Sequence, residues 1–244
     1  MMPRTRYASI RALSIGLFLA VTAAAGWAQQ AAVPAGDPRR FESAIAAFLK
    51  ADQTNPPPKR AILFIGSSIF RLWTKLPEQM APLPVFNRAF GGSRTADILH
   101  YMEQVVLPYE PQVIVYYCGS NDVNANIPAA TIAGNFRAFV TRVHAKLPNT
   151  RILYVSINRA PQKQDHWDVV DAANRQVKAD CAKDQRLTFI DVNPALFDAQ
   201  GQPRMELYLE DKLHLREPAY EEFTRIVKPV VAATWAQVNA GKKR

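Results

Sequence analysis

The chain has 244 residues, 48% of them hydrophobic and 21% charged, with a formal net charge of +9. That length suffices for one α/β domain with a sizeable core, and the composition is that of a globular protein and argues against disorder. The basic excess is modest and is not gathered into Lys/Arg runs interleaved with aromatics, so it gives no sign of a nucleic-acid partner.

Residues 1–28 read as a secretory signal. Arg4, Arg6 and Arg11 make a basic start, Ala12 to Ala25 an apolar stretch too short for a confident membrane span, and Gly26 and Ala28 offer small residues for a peptidase. Export to the periplasm or the medium follows as the expectation, with no stable membrane insertion after cleavage. Losing those three arginines takes the formal charge from +9 to +6. Residues 29–40, rich in Ala, Pro and Gly, read as a linker, and a single domain is expected over 41–240.

That domain opens with Phe41, Ile45, Phe48 and Leu49 at helical spacing. Five short apolar runs follow, at 61–65, 84–90, 112–118, 151–157 and 187–192, each short and β-branched or aromatic enough for a strand. Helical patterns separate them: Ile127 to Leu147, Trp167 to Val177, and a last helix around Phe223 to Val231, with a kink expected near Pro229. Strand and helix in alternation predict an α/β fold, a parallel sheet with helices on both faces, which explains why the strands are continuously apolar. Cys118 ends one strand and Cys181 sits in a helix, so two buried free thiols are expected rather than a disulfide. No metal-ligand spacing is present, and no metal or cofactor is expected.

In a parallel sheet, ligands bind beyond the carboxyl ends of the strands. The first run ends in "GSSI" (Gly66–Ile69), the second leads through "NRAFGGSRT" (Asn87–Thr95), the third ends in "GSND" (Gly119–Asp122), and "EDKLHL" (Glu210–Leu215) precedes the last helix. Taken singly, each reads as a cap, a tight turn or a surface charge pair. Together they supply a hydroxyl, glycine amides, a carboxamide, and a carboxylate three residues from an imidazole, which are the components of acyl transfer. His100, His144 and His166 lie in helical patterns away from the strand ends. There is no G-x-S-x-G, so the α/β-hydrolase nucleophile elbow does not apply.

These four blocks, "FIGSSIFRLW", "NRAFGGSRTADIL", "YYCGSNDV" and "DKLHL", resemble those of the SGNH hydrolases, the GDSL-type lipases and acylhydrolases, over about residues 38–235. The resemblance implies a flavodoxin-like, three-layer α/β/α fold around a five-stranded parallel sheet. It implies Ser68, not Ser67, as nucleophile, Asp211 and His214 as its triad partners, and an oxyanion hole from the amides of Ser68 and Gly92 and the side chain of Asn121. Ser67 departs from the acid of Gly-Asp-Ser, and Lys212 and Ala219 stand where glycine is frequent. The substrate implied is a small acyl ester, a lysophospholipid or an acetylated glycan. A thioesterase or acyltransferase on the same site is the nearest alternative. A non-catalytic flavodoxin-like module, holding an anion at the "GSS" turn, leaves Asp211, His214 and Asn121 without a common role. Oligomeric state is not legible.

Overall fold

The computed structural model describes residues 37–240. The expected signal segment and linker residues 29–36 lie outside the described residues. The remaining linker positions are not plain coil. Asp37 caps a 3-10 turn, Pro38–Phe41, whose last residue is buried.

The elements in chain order are α1 (Glu42–Thr54), β1 (Ile62–Gly66), α2 (Ser68–Arg71), α3 (Leu76–Met80), β2 (Val85–Asn87), α4 (Thr95–Val105), β3 (Val113–Tyr117), α5 (Ser120–Asn124), α6 (Ala129–Lys146), β4 (Arg151–Val155), α7 (Trp167–Cys181), β5 (Leu187–Ile190) and α8 (Glu217–Asn239). All four strand pairings are parallel and the sheet order is β2-β1-β3-β4-β5. The three-layer α/β/α architecture with five parallel strands is the one expected. The second strand is shorter than its apolar run, and α8 continues unbroken through Pro229.

Side chains alternate across each strand. Leu63, Ile65, Ile114, Tyr116, Ile152 and Tyr154 face a core closed by α1, α4, α6 and α7. Ile62, Phe64, Val113, Val115, Tyr117 and Leu153 face a second core closed by α2, α3 and α8. The central strands β1 and β3 are buried at every position, whereas the edge strands β2 and β5 are only partly covered. Leu49, expected on the apolar face of α1, is exposed.

The chain leaves β1 toward β2 and leaves β3 in the opposite direction toward β4. The carboxyl ends of β1 and β3 are therefore a topological switch point, where the diverging connections open a crevice. Gly66 ends β1 there because nothing larger fits: a Cβ at this position would lie 1.9 Å from the carbonyl oxygen of Tyr117 on β3.

Both cysteines are free and buried. No helix among the described residues is long and apolar enough to cross a membrane.

Candidate active site

Ser68 is the first residue of α2, and Ser67 is the residue before it. A four-residue helix has no stability of its own, so tertiary contacts must hold it. Ile69 and Phe70 are fully buried, and the Phe70 ring packs on Phe64, Trp73 and Tyr117. Side chains reinforce the helix-end carbonyls, of which Phe70 O also accepts from Trp73 N at 3.1 Å. Tyr220 Oη–H donates to Ile69 O at 2.8 Å, and Asn87 Nδ2 donates to Phe70 O at 2.7 Å. The two serines then differ in kind. Ser67 is completely buried, its Oγ has no partner among the described residues, and its amide donates to Tyr117 O at 3.1 Å. Ser68 is half-buried and turns its Oγ outward.

What Ser68 meets is His214, whose Nε2 lies 2.9 Å from Ser68 Oγ. The ring's Nδ1 lies 2.6 Å from Asp211 Oδ2. Both residues sit in a loop closed by an isolated antiparallel bridge between Tyr208 and Leu215 and by Leu209 N donating to His214 O at 2.8 Å. Asp211 Oδ1 accepts from the amides of Leu213 (3.0 Å) and His214 (2.9 Å), which fixes the carboxylate against the ring. Burial works to raise the Asp211 carboxyl. The hydrogen bonds from the His214 ring and these amides outweigh it and hold the pKa at about 2. An ionised carboxylate only accepts hydrogen bonds, so Nδ1 carries the ring proton. In the neutral ring Nε2 is then the acceptor for the Ser68 hydroxyl.

Gly92 lies exposed in the turn after β2 with φ +82°, a left-handed conformation that costs glycine nothing. The amides of Gly92 and Ser68 donate to no acceptor among the described residues. Asn121, half-buried at the start of α5, donates one Nδ2 proton to Ser93 O at 3.0 Å. Ser93 is itself tied to the end of β1, its Oγ donating to Gly66 O at 3.1 Å. Thus the Gly91–Ser93 turn, the Ser68 turn and Asn121 are joined through one serine that the sequence did not single out. Its contribution is partly a backbone carbonyl, for which residue type carries no signal.

Asp122 goes elsewhere. It is buried, accepting from Thr95 N (3.0 Å) and Thr95 Oγ1 (2.5 Å) at the start of α4. Burial pushes its carboxyl upward against those bonds. The other three histidines stand apart: His100 and His166 are exposed, and His144 Nε2 contacts Thr150 O at 2.9 Å. Clefts of about 480 Å³, at the amino ends of the strands around Arg60, Gln112 and Arg151, and about 520 Å³, along β5, include neither Ser68 nor His214. Chemistry, not cavity size, locates the site.

The family model of the GDSL-like lipase/acylhydrolase family matches residues 64–222, more than half of the chain. Three solved structures are similar. One from Streptococcus pneumonia, described provisionally as a platelet activating factor, has a TM-score of 0.70 and 21% identity, covering 79% of this chain and 93% of its own. A GDSL-like lipase from Bacteroides thetaiotaomicron has a TM-score of 0.65 and 17% identity, covering 82% and 99%. A catalytic mutant of an acetylxylan esterase from Geobacillus stearothermophilus has a TM-score of 0.56 and 15% identity, covering 69% and 93%. At such identities the likeness carries the fold alone. No curated protein matches.

Proposed function

The chain belongs to the GDSL-like lipase/acylhydrolase family, hydrolases of ester bonds, and from that premise we propose that it cleaves carboxylic esters through an acyl-enzyme formed on Ser68. The observation that carries this reading is the continuous path from Asp211 Oδ2 through the His214 ring to Ser68 Oγ, with steps of 2.6 and 2.9 Å. Ser68 Oγ attacks the ester carbonyl carbon as its proton passes to His214 Nε2. Asp211 stabilises the imidazolium without taking a proton itself. The carbonyl oxygen becomes an oxyanion that receives the Ser68 and Gly92 amides and the second Nδ2 proton of Asn121. Collapse breaks the bond to the leaving oxygen, which takes the proton from His214. Water, deprotonated by the same ring, then attacks the acyl-enzyme, releasing the acid and restoring the Ser68 hydroxyl.

The acyl ester is one of the three kinds the blocks imply: a small acyl ester, a lysophospholipid or an acetylated glycan. Export of the mature chain belongs to the same reading, and an N-terminus at Gln29 on protein recovered from outside the cytoplasm tests it. The central test is a fluorophosphonate probe with p-nitrophenyl acetate turnover. The adduct is expected on Ser68, with Ser68→Ala inactive and Ser67→Ala active. An adduct on Ser67, or turnover by Ser68→Ala, reverses the assignment.

A further inference from the structure

Arg71 ends the short helix that Ser68 begins. Positions three apart on a helix are neighbours, about 5–6 Å between Cβ atoms, so the guanidinium stem rises beside the serine. It then leans across to the glycine turn. A Cβ built on Gly91 would lie 2.5 Å from Nε, 3.2 Å from Cζ and 3.3 Å from Cδ of Arg71. Gly91 is therefore the space the arginine occupies, one residue before the Gly92 amide assigned to the oxyanion.

This guanidinium is exposed, and it makes no hydrogen bond or ion pair among the described residues. Three acids on the adjoining elements already have partners of their own. Glu217, at the start of α8, pairs with Lys75, Asp211 with His214, and Asp97 with Arg40 at 2.7 Å and with the Arg94 amide at 2.8 Å. The facing residue of α8 is Tyr220, whose hydroxyl is committed to Ile69 O. Arg94 places a second, half-buried cation at the far end of the same turn. The turn that would meet the ester carbonyl thus carries a cation at either end, Arg71 against Gly91 and Arg94 after Ser93. A planar guanidinium held by packing, with its donors unspent, suits the two oxygens of a carboxylate or phosphate.

We propose that Arg71 forms an anion subsite that makes this enzyme selective for esters bearing a carboxylate or phosphate next to the scissile group. The proposal rests on the Ser68 reading above. An anionic substituent a few ångströms from the carbonyl engages Arg71 while the carbonyl oxygen sits at Gly92. A neutral ester leaves that contact unmade. The two sources of such an anion are an acidic sugar and a phosphate headgroup.

The test compares kcat/KM for matched pairs. One arm sets acetylated galacturonate oligosaccharide against acetylated xylo-oligosaccharide, and the other sets lysophosphatidate against monoacylglycerol. The wild-type enzyme is expected to favour the anionic member at least tenfold in one arm, which identifies the source, with the ratio falling as salt rises. Arg71→Met should bring that ratio to near one, and Arg71→Lys should keep part of it. Gly91→Ala supplies an independent variant: its φ is not left-handed, and the three atoms nearest the new methyl all belong to the Arg71 side chain. It displaces the guanidinium without removing its charge, so the ratio should fall as well. A wild-type ratio near one in both arms, or a ratio that Arg71→Met leaves unchanged, overturns the subsite. If the fluorophosphonate labels Ser68 in that case, the subsite alone is wrong. If it labels nothing and no ester is turned over, the hydrolytic reading falls with it.

Discussion

Asn121→Ala separates an oxyanion donor from a turn cap. A carboxamide nitrogen carries two protons. One is spent on Ser93 O at 3.0 Å, which holds the amide plane fixed and leaves the other proton available to an oxyanion. Losing one preorganised donor of this kind costs about 100- to 1000-fold in kcat, or roughly 3–4 kcal/mol of transition-state stabilisation. The structural loss is smaller. A single partly exposed hydrogen bond is worth about 1 kcal/mol, and Ser93 O keeps Cys118 Sγ at 3.5 Å. In a domain of this size 1 kcal/mol lowers Tm by roughly 2–4 °C. Steady-state kinetics with p-nitrophenyl acetate, beside a thermal melt, should therefore show a collapse in kcat, a KM within a few-fold of wild type, and a small shift in Tm. Asn121→Asp should be at least as damaging, because it sets an acceptor against Ser93 O and a negative charge against the developing oxyanion. A kcat within fivefold of wild type combined with a large fall in Tm would refute the assignment and leave Asn121 as a cap.

Two further outcomes are expected. Lys163 is 1% exposed, its Nζ meets only the amide oxygens of Asn124 and Gln162, both at 3.1 Å, and burial lowers its pKa from 10.5 to about 8. Between those values the unfolded chain holds a proton the folded chain has released, so this group adds stability as pH rises from 8 to 10.5. Below pH 8 the buried ammonium costs up to about 3 kcal/mol. Lys163→Met should thus be more stable than wild type at pH 7 in urea unfolding, with the gap narrowing toward pH 10; a less stable variant at pH 7 sinks the reasoning. Tyr220→Phe removes the donor to Ile69 O beneath the nucleophile, and it should cost about 1–2 kcal/mol and lower kcat severalfold. An unchanged melt and rate would show that α2 does not depend on that bond.

The strands were legible because β1 and β3 are covered on both faces, and such strands must be apolar at every position rather than alternately. The second strand was overread for a local reason. Asn87 Oδ1 accepts from Ala89 N at 2.8 Å, a side-chain turn that ends β2 inside an apolar run. The helices α2, α3 and α5 span four or five residues each, too few for any periodicity. Burial holds them: Phe70, Trp73 and Leu76 fix α2 and α3 in the core closed by α8, and Val123 fixes α5 in the core on the other face, a cause that single-sequence patterns do not carry.

In the candidate site the side chains were legible and their supports were not. Ser68, Asp211, His214 and Asn121 need particular side-chain chemistry, and they stand at strand ends in a fixed order. What positions them is mostly backbone: the carbonyls of Ser93, Ile69 and Phe70 accept from Asn121, Tyr220 and Asn87, and any residue supplies a carbonyl. The adjacent pairs make the same point from the other side. Ser67 and Ser68 are identical in chemistry and are told apart only by burial, one sealed against β3 and the other facing an imidazole. Asn121 and Asp122 are nearly identical in shape, yet one donates to Ser93 O in the glycine turn and the other clamps the start of α4 through Thr95. Exchanging the members of either pair keeps the composition and the motif spacing while placing the wrong group at the crevice. The proposed chemistry therefore depends on which of two neighbouring side chains the turn sends outward, and that choice is made by the packing of α2 against β1 and of α5 against α7.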